Sequence, residues 1–193
     1  MSLSGCISLF PKADPSGLYR FGEARQASAD QVEKSFGVFK IPTVFTRASM
    51  SDRILTITNG EAAYIADARW VSPAIVLFDE AVARAFEAQG PARLVTRGET
   101  GKAAMTLRLE VRSFETVYVD GPKTAPEILV EVRAVTIKNG DRTLLGDKVF
   151  QTRVRAAENR VGAIVQAYDK ATDKTLSDIV AWVGETGSKL PPG

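Results

Sequence analysis

The chain has no histidine among its 193 residues. That single absence removes Ser-His-Asp and Cys-His catalysis, histidine-based metal sites and histidine pH switches together. Cysteine is nearly missing as well: Cys6 stands alone, so an internal disulfide, a CxxC pair or a thiolate metal cluster is ruled out. No stretch approaches the roughly 20 consecutive apolar residues that a membrane-crossing helix needs. The first residues lack the basic and apolar regions of a signal peptide. Charge of one sign is missing too. Twenty-five basic and 23 acidic side chains leave a formal charge of +2, and no Lys/Arg block gives the footprint of a nucleic-acid binder.

What is present is a globular composition, 45% hydrophobic and 25% charged, in a chain long enough for one well-cored domain. Residues 7–17 hold Pro11, Pro15 and Gly17 without periodicity and read as a tether. From Cys6 to Tyr19 it spans at most ~40 Å at ~3.3 Å per residue. The domain itself is expected over residues 18–186, with a disordered tail over 187–193. Leu18 to Phe21 reads as a first short strand, and Phe36 to Pro42 as a second that ends or lies at an edge at Pro42.

Two Asn-Gly pairs predict hairpins. Ile54 to Thr58 and Ala62 to Ala66 flank Asn59-Gly60, while Val130 to Lys138 and the residues from Arg142 flank Asn139-Gly140. Asp120-Gly121-Pro122 marks a third turn. Residues 103–113 alternate strictly, with Ala103, Met105, Leu107, Leu109 and Val111 on one face and Thr106, Arg108, Glu110 and Arg112 on the other. Ile128, Val130, Val132 and Ala134 repeat the alternation, after which Val135 and Ile137 shift phase and suggest a bulge. Two amphipathic helices can cover the apolar face. One has Ser72 as N-cap and Pro73 at its first position, and stops near Gln89-Gly90-Pro91. The other runs from about Asn159 to Val183 with a stripe from Val161 through Tyr168 to Trp182/Val183. The expected fold is α+β: an antiparallel (mixed) sheet with two main helices packed on one face.

No acid/base constellation emerges. Asp79 and Glu80 are helical neighbours that point apart. Asp169 and Asp173 lie among Lys170 and Lys174 as on a solvated face. Glu110 and Glu131 sit at outward strand positions beside Arg108, Arg112 and Arg133, where cross-strand pairing is expected. Gly98 to Lys102 lacks the phosphate-loop spacing, with Ala103 where Ser or Thr belongs, and reads as a turn. Trp70, after Arg69, and Trp182 sit at helix ends and read as packing residues. The wet face around Arg108, Arg112 and Arg133 is a candidate docking surface.

Leu3-Ser4-Gly5-Cys6 has the form of a lipobox, the site at which lipoprotein signal peptides are processed. Met1 to Cys6 then reads as a cut end with lipidation on Cys6. The alternative is a plain free cysteine in a loose terminus. Several segments together resemble the ABC-type transport auxiliary lipoprotein family, whose relatives include paraquat-inducible protein C and other lipoproteins of MCE-type lipid transport systems. They are the lipobox, the strand around Tyr19, Ile65-Ala66-Asp67-Ala68-Arg69-Trp70 leading into the helix over 72–87, Leu107 to Phe114, Lys148-Val149-Phe150, and the helix end Leu176 to Trp182. Arg69 and Trp70 are the most specific piece and are expected to be structural.

The resemblance implies an α+β domain in the periplasm, anchored by lipid on Cys6. Because Ile7 rather than Asp follows the cysteine, it implies the outer membrane. It implies partnership with an MCE-domain protein, a permease and an ATPase, and supplies no catalytic residue, cofactor or metal site. The expected role is a non-catalytic adaptor docking a lipid transport system to the outer membrane. A periplasmic carrier holding an acyl chain between helices and sheet is the alternative. Homo-oligomerisation is left open, and nucleic acid is not an expected partner.

Overall fold

The computed structural model describes residues 16–23, 33–95 and 102–190. In chain order these form β1 (Gly17–Tyr19), β2 (Phe36–Lys40), β3 (Val44–Phe45), β4 (Arg53–Thr58), β5 (Glu61–Trp70), α1 (Ala74–Ala88), β6 (Ala92–Val95), β7 (Met105–Tyr118), β8 (Glu127–Lys138), β9 (Leu144–Arg155) and α2 (Val161–Gly187). The strands share one mixed sheet, so the α+β expectation holds.

β7 is the axis of that sheet. Along one edge it takes three short strands in succession, all parallel to it: β2 at Met105–Leu107, β3 at Glu110–Val111 and β4 at Thr116–Tyr118. Along its other edge lie β8 and then β9, both joined by antiparallel ladders. β5 returns antiparallel to β4, β1 runs parallel to the end of β5, and β6 runs parallel to β2. Parallel pairing is therefore more prominent than the alternating pattern suggested. Of the two readings of Pro42, the strand end holds and the edge does not: β2 stops at Lys40 and lies between β7 and β6.

The inner face of β7 carries Met105, Leu107, Leu109 and Val111. Arg112 is an extra residue against β8, and this bulge lets Phe114 and Thr116 return to the core. β8 keeps its phase through a buried Thr136. The irregularity anticipated near Ala134 falls instead at Thr136/Ile137, where β9 carries Leu145 as an extra residue.

The two Asn-Gly pairs differ. Asn59 (φ 50°) and Gly60 (φ 83°) form the two-residue turn between paired Thr58 and Glu61. Asn139-Gly140 opens a four-residue loop that closes with Lys138 N–H donating to the Thr143 carbonyl at 2.8 Å. There the Asp141 carboxylate accepts from the Lys138 ammonium (2.8 Å) and the Thr143 N–H (3.0 Å), which favours the wider loop over the tight turn.

α1 begins at Ala74 with Pro73 at the cap position and no side-chain cap. The expected Ser72 cap is absent because the carbonyls of Ser51 and Met50 accept the N–H groups of Ala74 and Ile75. At the other end Lys34 donates to the carbonyls of Phe86 (2.6 Å), Gln89 (3.3 Å) and Gly90 (3.0 Å). A cation thus meets the negative end of the helix. α2 runs past Val183 to Gly187, where a Cβ would collide with the Phe36 ring. The two helices lie side by side and run the same way. Gly22 packs on Ala81, Gly90 on Val180, and Gly184 on Pro91.

Candidate functional site

The Arg69-Trp70 pair splits between the two faces of the sheet edge. Trp70 is 2% exposed and lies edge-on to Phe21 (4.9 Å between centroids) and Tyr168 (5.1 Å). Phe114 packs on Phe21, Tyr168, Phe45 and Phe78, so six aromatic rings form one layer between sheet and helices. Tyr168 is fully buried and accepts a hydrogen bond from Thr116 Oγ1 at 3.2 Å. Burial, opposed only by that bond, drives its phenol above its ordinary range. Arg69 points the other way, pairs with Asp52 at 3.1 Å and stays partly exposed. Trp70 thus closes the core, and Arg69 ties the 46–52 loop to the sheet edge.

Between α1 and α2 lies a cleft of about 20 Å³, lined by Gly22, Ala81, Arg84, Thr172, Asp173 and Leu176 among others. Such a volume holds about one water molecule, not an acyl chain. Gly22 takes a positive φ of 79°, donates its N–H to Asp169 at 2.7 Å and accepts from Arg84 Nε at 2.9 Å. Asp169 and Asp173, expected on a solvated face, therefore sit at a helix contact. Their spacing alone could not show this, because Gly22, the partner of Asp169, lies 147 residues away in sequence. Thr172 is fully buried with its hydroxyl unpaired.

Asp79 and Glu80 tie α1 to its surroundings. Asp79 accepts from Lys40 at 2.8 Å and from Thr43, while Glu80 meets Arg84 at 3.7 Å. On the outer face one expected cross-strand pair, Glu110 with Arg133, forms within a wider lattice. Glu110 meets Arg112 (3.3 Å) and Arg133 (3.6 Å), Arg133 also grips Asp147, and Glu131 accepts from Gln151 at 2.9 Å. Arg133 holds Asp147 below the usual carboxylate range. Arg112 and Arg133 are thus engaged within the sheet, whereas Arg108 is exposed to solvent. Glu115 also faces outward, in register with Leu129 of β8 and next to the register position of Leu55 on β4. Burial pushes its carboxyl up, against the pull of Arg153. The sequence reading missed Glu115, though an acid between two leucines was visible once the strands were in register.

Cys6 and its lipobox lie outside the described residues, as do Gly98 to Gly101. Among the described residues no helix is long and apolar enough to cross a membrane.

Comparison with known proteins gives the family. No curated protein matches the chain significantly. The crystal structure of protein XCC0632 from Xanthomonas campestris, of the DUF330 family, superposes with a TM-score of 0.79 at 21% identity, covering 90% of this chain and 98% of that one. The hypothetical protein CT253 from Chlamydia trachomatis superposes with a TM-score of 0.56 at 12% identity, over 81% and 98% of the two chains. At these identities the likeness is one of fold. The family model for the ABC-type transport auxiliary lipoprotein component matches residues 19–180, which spans β1 to the last turns of α2. The chain belongs to the ABC-type transport auxiliary lipoprotein component family.

Proposed function

We propose that this protein is a non-catalytic lipoprotein adaptor, held by lipid on Cys6 at the periplasmic side of the outer membrane, that docks an MCE-type lipid transporter there. The observation that carries the reading is the family match over residues 19–180. The polar groups support it: Asp79 and Asp169 are spent on packing and Glu110 on the outer lattice, and the chain has no histidine to move a proton near neutral pH. The carrier alternative draws no support from the aromatic layer, which fills the space between sheet and helices where an acyl chain would lie.

A lipid anchor gains ~0.8 kcal/mol per buried CH₂, so several acyl chains on one cysteine hold a domain stably. The test is Cys6→Ala in a protein exported with a functional leader. The variant should fold and stay soluble in the periplasm while transport-dependent growth is lost. Full function of exported Cys6→Ala would remove the anchor from the account.

A further inference from the structure

We propose that the corner of the domain around the end of β1 and the first turn of α1 rests on the membrane surface, and so fixes the orientation in which the anchored domain is presented. The proposal rests on the lipid-anchor reading and adds the face.

Three segments meet at this corner. Val71 N–H donates to the Tyr19 carbonyl, Trp70 N–H to Asp52, and Ala74 and Ile75 N–H to Ser51 and Met50. β1, the 46–52 loop and the connection into α1 are therefore stitched together. The parallel register puts Leu18 beside Arg69, and Val71 lies one residue past the end of β5, where its N–H bond to Tyr19 keeps it next to β1. Leu18 (66% exposed), Val71 (45%), Val76 (44%) and Met50 (37%) make this corner the densest grouping of exposed large apolar side chains in the described residues. The others are dispersed. Val44 lies on β3, Val119 past the far end of β7, and Leu144 and Val149 on β9.

The position of the chain end selects the occupant. The tether enters the fold at Gly17, one residue before Leu18. Gly17 lies eleven residue steps after Cys6, a reach of at most ~36 Å at ~3.3 Å per step. The apolar corner is thus the part of the domain to which the anchor is joined most directly. Its charge permits the contact. Arg20, Arg47, Arg53 and Arg69 stand against Glu23, Asp52 and Asp67, leaving no net negative charge toward an anionic lipid surface. An anchor supplies a high effective concentration, so a modest apolar patch suffices to choose one orientation.

The experiment uses the lipidated full chain on vesicles of phosphatidylethanolamine and phosphatidylglycerol. Acylation consumes Cys6, so a single introduced cysteine carries an environment-sensitive fluorophore: Leu18→Cys, Val71→Cys or Val76→Cys, with Val119→Cys and Leu144→Cys as references. Cosedimentation reports the anchor, and emission reports the face. The expected result is a blue shift with several-fold brightening at the three corner positions and water-like emission at the two references. Cosedimentation with water-like emission at the corner, or with equal shifts at all five positions, would overturn the proposal and leave the anchor standing. A corner shift that appears only when transporter proteins are added would assign the patch to a protein partner and overturn it too. Failure to cosediment would refute the anchor, and the proposal with it.

Discussion

Trp70 and Arg69 are adjacent in sequence but do unequal work, and stability measurements separate them. Trp70→Ala removes the ring that joins Phe21 to Tyr168. Truncation of a buried aromatic of this kind costs about 3–5 kcal/mol, and for a domain of this size thermal denaturation should fall by roughly 10 °C or more. Arg69→Ala should cost no more than ~1 kcal/mol, because the Asp52 pair is partly exposed. An equal loss from both changes would contradict the assignment of Trp70 to the core and Arg69 to the surface. Thr172 gives the opposite sign. Its hydroxyl is buried without a partner, a state that costs ~1–3 kcal/mol. Thr172→Val should be neutral or stabilising in urea titrations, and a clear loss of stability would mean that the hydroxyl has a bound partner in solution. Trp70 was legible as a packing residue from its place before a helix. The contacts of Asp169 and Thr172 were not, since helical spacing shows which residues share a face but not what that face meets.

At the scale of elements, β7 shows what alternation can and cannot reveal. Its first half follows the period of two from Met105 to Val111, so its core face was readable. The Arg112 bulge then reverses the phase, and a bulge is a property of pairing that one strand's sequence does not encode. The caps of α1 make the same point. Ser72-Pro73 has the form of a helix start, yet carbonyls from the 46–52 loop fill the vacancy, a tertiary substitution for a local signal.

Glu115 turns the strand register into a pH prediction. Its carboxyl is raised above its ordinary value of 4.5, chiefly by burial. For a group raised in the folded state, the folded chain binds the proton more tightly than the unfolded one. The stabilising protonation is complete below the unfolded value and is lost as pH rises through the folded one. Glu115→Gln should therefore raise the denaturation temperature at pH 7, with the gain shrinking to nothing as pH falls below about 4. A gain that persists undiminished in acid would place its origin elsewhere. Gly60, at φ 83° in the tight turn, supplies a second element-scale test. Gly60→Ala should destabilise by about 1 kcal/mol, because a side chain there strains the left-handed backbone.

The described residues form one sheet with two parallel helices across its apolar face, and an outer face that carries an ion-pair lattice. The α+β class, both helices and the Asn59-Gly60 hairpin were readable from periodicity and turn chemistry. β2 and β4 were readable as strands, but two-residue β3 and the parallel pairing of all three with β7 were not, because their partners lie about 60 residues away. Function was legible only through resemblance. The geometry assigns Trp70 and Asp79 to packing and Glu110 to the ion-pair lattice. The adaptor account therefore stands or falls on its partners.

The decisive measurement is affinity purification of the lipidated protein from envelopes solubilised in mild detergent, with copurifying proteins identified by mass spectrometry and lipids by extraction. The account predicts stoichiometric recovery of an MCE-domain protein, with permease and ATPase following it. Recovery of the protein alone with bound lipid would contradict the adaptor reading and favour a carrier; recovery alone and without lipid would leave a family member that serves no such transporter.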